Sequence, residues 1–133
     1  MRDFQSEVDP DAINLRERQR AAVQARKQGP LVGTSLSLGA GTRLVRILAG
    51  SASLNFGNTA AQTSADLTIT VTGAQPGDML ALGVPNGSVN ANSCFTAWVS
   101  AADTVTVRFN NYSAGAIDPA SGTFTALVFG AGW

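Results

Sequence analysis

The sequence predicts a mainly β protein, an antiparallel β-sandwich of jelly-roll-like type preceded by an N-terminal helical arm. Three observations predict it. Short segments alternate apolar and polar residues with a period of two, and Pro, Gly, Asn and Asp punctuate them at close, regular intervals. Charge and glycine divide the chain at Gly29-Pro30: all 14 glycines lie in residues 29–133.

Residues 1–11 set Arg2 against Asp3, Glu7, Asp9 and Asp11, and residues 12–28 set Arg16, Arg18, Arg20, Arg26 and Lys27 against Glu17, so the arm is a dipole. Residues 9–28 read as a helix. Asp9 is a good N-cap, Pro10 suits the first helical position, and Asp11 favours the positive end of the helix dipole. Arg26 and Lys27 complement the C-terminal end, and Gly29-Pro30 supplies the stop. The apolar positions Ile13, Leu15, Ala22, Val23 and Ala25 make a poor stripe, and an isolated helix of this length is marginal in water. Two readings follow: a solvated leader, or a docking arm that presents Ile13, Leu15, Arg16, Arg18, Arg20, Val23 and Arg26 to a larger partner or a sister protomer. Residues 31–42, rich in Gly, Ser and Thr, read as an extended linker in which Leu36 and Leu38 alternate with Ser35 and Ser37. The arm thus spans 1–42 and the β-domain 43–133.

About seven short strands are expected in the β-domain. "LTITV" (67–71) puts Leu67, Ile69 and Val71 on one face and threonines on the other. "TVTVRFN" (104–110) repeats the pattern, "CFTAWVS" (94–100) and "TFTALVF" (123–129) behave alike, and "RLVRILA" (43–49), "ASLNF" (52–56) and "MLALGV" (79–84) complete the set. Gln75-Pro76-Gly77-Asp78 and Pro85-Asn86-Gly87 read as turns, and Ser100-Ala101-Ala102-Asp103 as the link of a hairpin. No helix separates the strands, so a parallel sheet is excluded.

Composition argues against most chemistry. With 0 histidines there is no imidazole base, no Ser-His or Cys-His dyad and no histidine metal ligand, and no phosphate loop or acidic calcium loop is present. Asp66, Asp78, Asp103 and Asp118 are expected to cap turns rather than to pair as acid and base. Cys94, the one cysteine, is expected to be a small buried hydrophobe beside Phe95. No enzyme activity, cofactor or metal is expected. The formal net charge of +0 gives no field to recruit nucleic acid or an anionic membrane, and no apolar run approaches a membrane span or a signal sequence. Phe56, Phe95, Phe109 and Phe124 fit the core, which leaves Trp98, Tyr112, Phe129 and Trp133 as candidates for a subunit interface; Trp98 could alternatively stack on a sugar or wrap a sheet edge.

"SADLTITVTGAQPGDMLALGVP" (64–85), followed by "FTAWVSAADTVTVRFNNYSAGAIDPASGTFTALVFG" (95–130), resembles a β-domain that recurs in virion proteins of tailed bacteriophages, among them capsid decoration (cement) proteins and head or tail fibres. The resemblance implies a non-enzymatic structural protein, homotrimeric and carried on the outer capsid surface of a virion assembled in the host cytoplasm. Its implied partners are the major capsid protein and its own sister protomers, with no nucleic acid and no membrane. A fibre-type, receptor-binding domain that contacts host glycans is the alternative.

Overall fold

The computed structural model describes residues 39–132; the expected helix at 9–28, the arm residues from Ile13 to Arg26, most of the linker, and Trp133 lie outside them. The described residues form six strands: β1 Leu44–Leu54, β2 Ser64–Thr70, β3 Met79–Gly83, β4 Ser93–Ala101, β5 Thr104–Asn111 and β6 Gly122–Ala131. They make two antiparallel three-stranded sheets, ordered β1-β6-β3 and β2-β5-β4. The expected mainly β, antiparallel, sandwich-like domain is the architecture observed.

Two expected strands, 43–49 and 52–56, are one. β1 runs unbroken through Gly50-Ser51, where the residue pattern predicts a gap between strands. Gly50 is there because a Cβ would stand 2.5 Å from the carbonyl oxygen of Thr70 and 2.8 Å from a methyl of Val71. The glycine marks where β1 passes close to the end of β2, not where a strand stops.

Alternation assigns each strand one inward face, and the inward residues meet in one apolar core. Ile69 of β2, Val105, Val107 and Phe109 of β5, and Phe124, Ala126 and Val128 of β6 are all buried, with Leu54 and Val71 completing the layer. Phe109 and Phe124 are buried as expected, and Phe56 and Phe95 are part-buried against them, with ring centroids 5.1–6.0 Å apart in tilted or edge-on pairs. Complete burial of each such side chain is worth about 1.5–3 kcal/mol, so this layer holds the two sheets together.

Turn chemistry sets the connections. Asp78 donates its backbone N–H to Gln75 at 3.1 Å, and Gly77, at φ +94°, takes the left-handed position that Pro76 before it favours. Asp103 closes the two-residue β4–β5 hairpin at φ +60°. Its carboxylate accepts the Gly73 N–H at 2.7 Å, and its backbone N–H and C=O bond Ala74 and Val71. The turn after β2 is therefore fastened to the hairpin tip. Asp78 and Asp103 both cap turns, as their neighbours in sequence suggest; Asp66 does not, because it sits inside β2 and pairs across to β5.

Candidate functional site

Each sheet also has an outer face, and the two differ in chemistry. On the β2-β5-β4 sheet the outward positions are polar. Asp66 lies opposite Arg108, which is opposite Thr96, and Thr68 lies opposite Thr106, which is opposite Trp98. Arg108 donates from Nε and Nη2 to the two carboxylate oxygens of Asp66 at 2.7 Å each, a two-pronged ion pair. The Arg108 guanidinium holds the Asp66 carboxyl below the usual carboxylate range, and Asp66 in turn raises the basicity of Arg108. The same guanidinium carbon stands 5.0 Å from the ring centre of Trp98, which is 40 % exposed.

Further along this face Thr106 donates to the Ser100 hydroxyl at 2.7 Å, and Asn110 reaches Cys94 and Thr96. Cys94 is not the buried hydrophobe expected. Phe95 takes the inward position on β4, so alternation turns the thiol outward, 3.5 Å from the hydroxyl of Tyr112. The hydrogen bond with Cys94 raises the Tyr112 pKa above the ordinary phenol value.

Beside this face lies a polar anchor that the sequence reading missed. Asn111 is buried, yet its Nδ2 donates toward the carbonyls of Thr59, Ala60 and Gly115 at 2.8–3.1 Å. Its Oδ1 accepts from the Ser113 N–H and hydroxyl at 2.9 and 2.7 Å. One amide thus binds the loop before β2 to the loop after β5, where Thr59 and Ile117 also exchange two backbone bonds. The signal in sequence was faint: "FNNYS" places one of two adjacent asparagines on the inward face of its strand.

Within its three strands the outer face of the β1-β6-β3 sheet carries no charge. Its outward positions are Val45, Ile47, Ala49, Ser51 and Ser53 on β1, Thr123, Thr125, Leu127 and Phe129 on β6, and Met79, Ala81 and Gly83 on β3. Ile47 is 51 % exposed, Met79 48 % and Leu127 38 %. The register stacks them in rows: Ile47 and Met79 flank Phe129, Ala49 and Ala81 flank Leu127, and Ser51 and Gly83 flank Thr125. One row is large and the next two are small at their edges, so an open groove of about 560 Å³ runs over Ala49, Ser51, Ala81, Gly83 and Thr125.

Of the four aromatics expected to share an interface, Trp98 and Tyr112 point out from the polar sheet and Phe129 from the apolar one. The structure does not gather them into one surface. Two arginines adjoin the apolar sheet: Arg43, exposed, stands just before β1, and Arg46 of β1 is turned inward, lying over Gly130 and donating to Asp78 at 2.6 Å, with its Nε buried and without a hydrogen-bond partner. Among the described residues no group of three or more His, Cys, Asp or Glu could hold a metal ion. Comparison with protein-family models, with curated proteins and with solved structures finds no match to this chain.

Proposed function

We propose that the chain is a non-enzymatic structural protein of a tailed-bacteriophage virion, a capsid decoration or cement protein that binds the assembled shell. The observation that carries this reading is the outer face of the β1-β6-β3 sheet, where exposed Ile47, Met79 and Leu127 stand among uncharged neighbours, since the main exposed apolar patch of a protein is often its binding surface. The resemblance of residues 64–85 and 95–130 to virion β-domains supplies the virion context. In this reading the arm, with Arg16, Arg18, Arg20 and Arg26, grips capsid subunits or sister protomers, and the β-domain stands on the outside. The mechanism is mass action: a protein that binds the closed shell and not its dissociated subunits stabilises the shell by its binding free energy.

The test is co-sedimentation of the full chain with shells that lack it, together with the shell melting temperature. Binding with a raised melting temperature is expected, and joint reversal of Arg16 and Arg20 to Glu should weaken binding. A chain that neither sediments with shells nor shifts their melting refutes the reading.

One observation favours a second reading as a glycan-binding fibre domain: exposed Trp98 lies beside the charged Arg108–Asp66 pair, an aromatic plate next to hydrogen-bonding groups. Host-glycan binding that is lost in Trp98→Ala would favour it over the cement role.

A further inference from the structure

We infer that the apolar outer face of the β1-β6-β3 sheet docks on the same face of a second copy of this chain, as a two-fold pair with Leu127 at its centre. This rests on the reading of the chain as an assembling structural protein and names what covers its exposed face.

Three features select a second copy. The first is charge. A self-pairing surface presents each of its groups to the same surface on the partner, so any net charge on it repels itself. Within its strands the β1-β6-β3 face has none at its outward positions, and exposed Arg43 stands only at its margin, just before β1, whereas the other sheet carries Asp66 and Arg108 amid its strands. The second is relief. The large row Ile47–Phe129–Met79 and the small row Ser51–Thr125–Gly83 lie on opposite sides of the row that holds Leu127. A two-fold axis in the plane of the face, running along that middle row, sets the large row of one copy over the small row of the other, on both sides at once. The groove of about 560 Å³ then receives the partner's ridge, and the two Leu127 side chains meet on the axis. Strands of the two sheets stay roughly aligned, which is one of the two ways sheets stack.

The third is the edge. β1 is a long edge strand, the usual route to strand-to-strand association. Its start is blunted by a bulge between Leu44 and Arg46 and by an inward-pointing charge, Arg46, held by Asp78. Association through the edge is thereby opposed, and association through the face is left open.

The size of the face sets the strength. Three strands about 4.8 Å apart, over roughly seven residues of about 3.4 Å rise, present on the order of 350 Å² in projection per copy. A pair hides at least about 700 Å² in total, small for a specific interface, so micromolar, concentration-dependent pairing is expected.

The experiment is sedimentation of the full chain from micromolar to millimolar concentration. The mass should rise from that of one chain, 13.7 kDa, toward that of two. Ile47→Lys, at a position half exposed and so tolerant of charge, should weaken pairing by about tenfold or more with an unchanged melting temperature. In a Cys94→Ala background, Leu127→Cys should form an oxidised dimer faster than Thr68→Cys on the polar sheet. A single-chain mass at every concentration, a mass of three chains, or equal cross-linking from both sheets would overturn the pairing. The outcome for the cement role is separable. If the chain stays single but Ile47→Lys abolishes shell binding, the face belongs to the shell and pairing is refuted alone. If it pairs but ignores shells, pairing stands and the cement role falls.

Discussion

The two sheets share one core and differ in what they show to water, and ion pairs of the same residue types mark the contrast. On the polar sheet Arg108 and Asp66 face outward, each about 40 % exposed at the side chain, and the pair lies beside Trp98 as part of a face that satisfies its own hydrogen bonds. On the other sheet Arg46 points inward to Asp78, whose side chain is 7 % exposed, and the outer face is left without charge. One arrangement places charge on a sheet face; the other blunts an edge and leaves the face above it uncharged. Which way one arginine points along its strand decides whether a sheet face carries charge or is left uncharged.

That comparison can be tested from its strongest element to its weakest. The core common to both sheets comes first: Phe124→Ala removes a ring that touches Phe56 and Phe95 and should cost about 3–5 kcal/mol. In urea the two sheets should still unfold in one transition; two separate transitions would mean that the faces belong to independent units. Next is Asn111→Ala, which removes one donor from the carbonyls of Thr59, Ala60 and Gly115, each of which keeps another, and the acceptor of the Ser113 N–H, and should cost about 1–3 kcal/mol by chemical denaturation. A loss under about 0.5 kcal/mol would show that the two loops hold without it.

The part-buried Arg46–Asp78 pair and the exposed Arg108–Asp66 pair should separate with pH. The Arg46 hydrogen bond holds the Asp78 carboxyl below its ordinary value near about 3.9, against the opposing effect of burial, and the Gln75 N–H lowers it further. A carboxyl with a depressed folded-state pKa contributes stability above its unfolded value and loses it as pH falls through the folded one. The melting temperature should therefore fall from about pH 5 downward, and Asp78→Asn should flatten part of that fall while costing about 1–3 kcal/mol at neutral pH. Arg108→Ala breaks the exposed pair and should leave the melting temperature nearly unchanged. In a Trp133→Phe background it should instead alter Trp98 emission; a large loss of stability would reverse the ranking of the two pairs. The smallest effect is spectroscopic. The chain has 1 tyrosine, so its titration reads Tyr112 alone, and Cys94→Ala should bring that titration down toward the ordinary phenol range.

The strands of the polar sheet were the most legible. "LTITV" and "TVTVRFN" alternate cleanly because one face is buried and the other wet, so the period of two survives in the residue types. Glycine reads as a break, so the sequence predicts two strands where β1 is one, and only the approach of Thr70 shows why a glycine stands mid-strand. Cys94 and Asp66 were misplaced for a related reason: the partner across the sheet, Tyr112 in one case and Arg108 in the other, lies 18 and 42 residues away. The apolar face was illegible because a strand with apolar residues on both sides looks like a strand buried on both sides.

The antiparallel strands between Leu44 and Ala131, the tightest turns and the phenylalanines of the core are legible in the sequence alone. These are local consequences of alternation, of Pro-Gly and Asp chemistry, and of the need to bury rings. Tertiary structure decided which strands share a sheet, that Arg46 turns inward while Arg108 turns outward, and that Ile47, Phe129 and Met79 form one row on an open face. Register across strands far apart in sequence is set by how the whole core packs, and no local pattern carries that information.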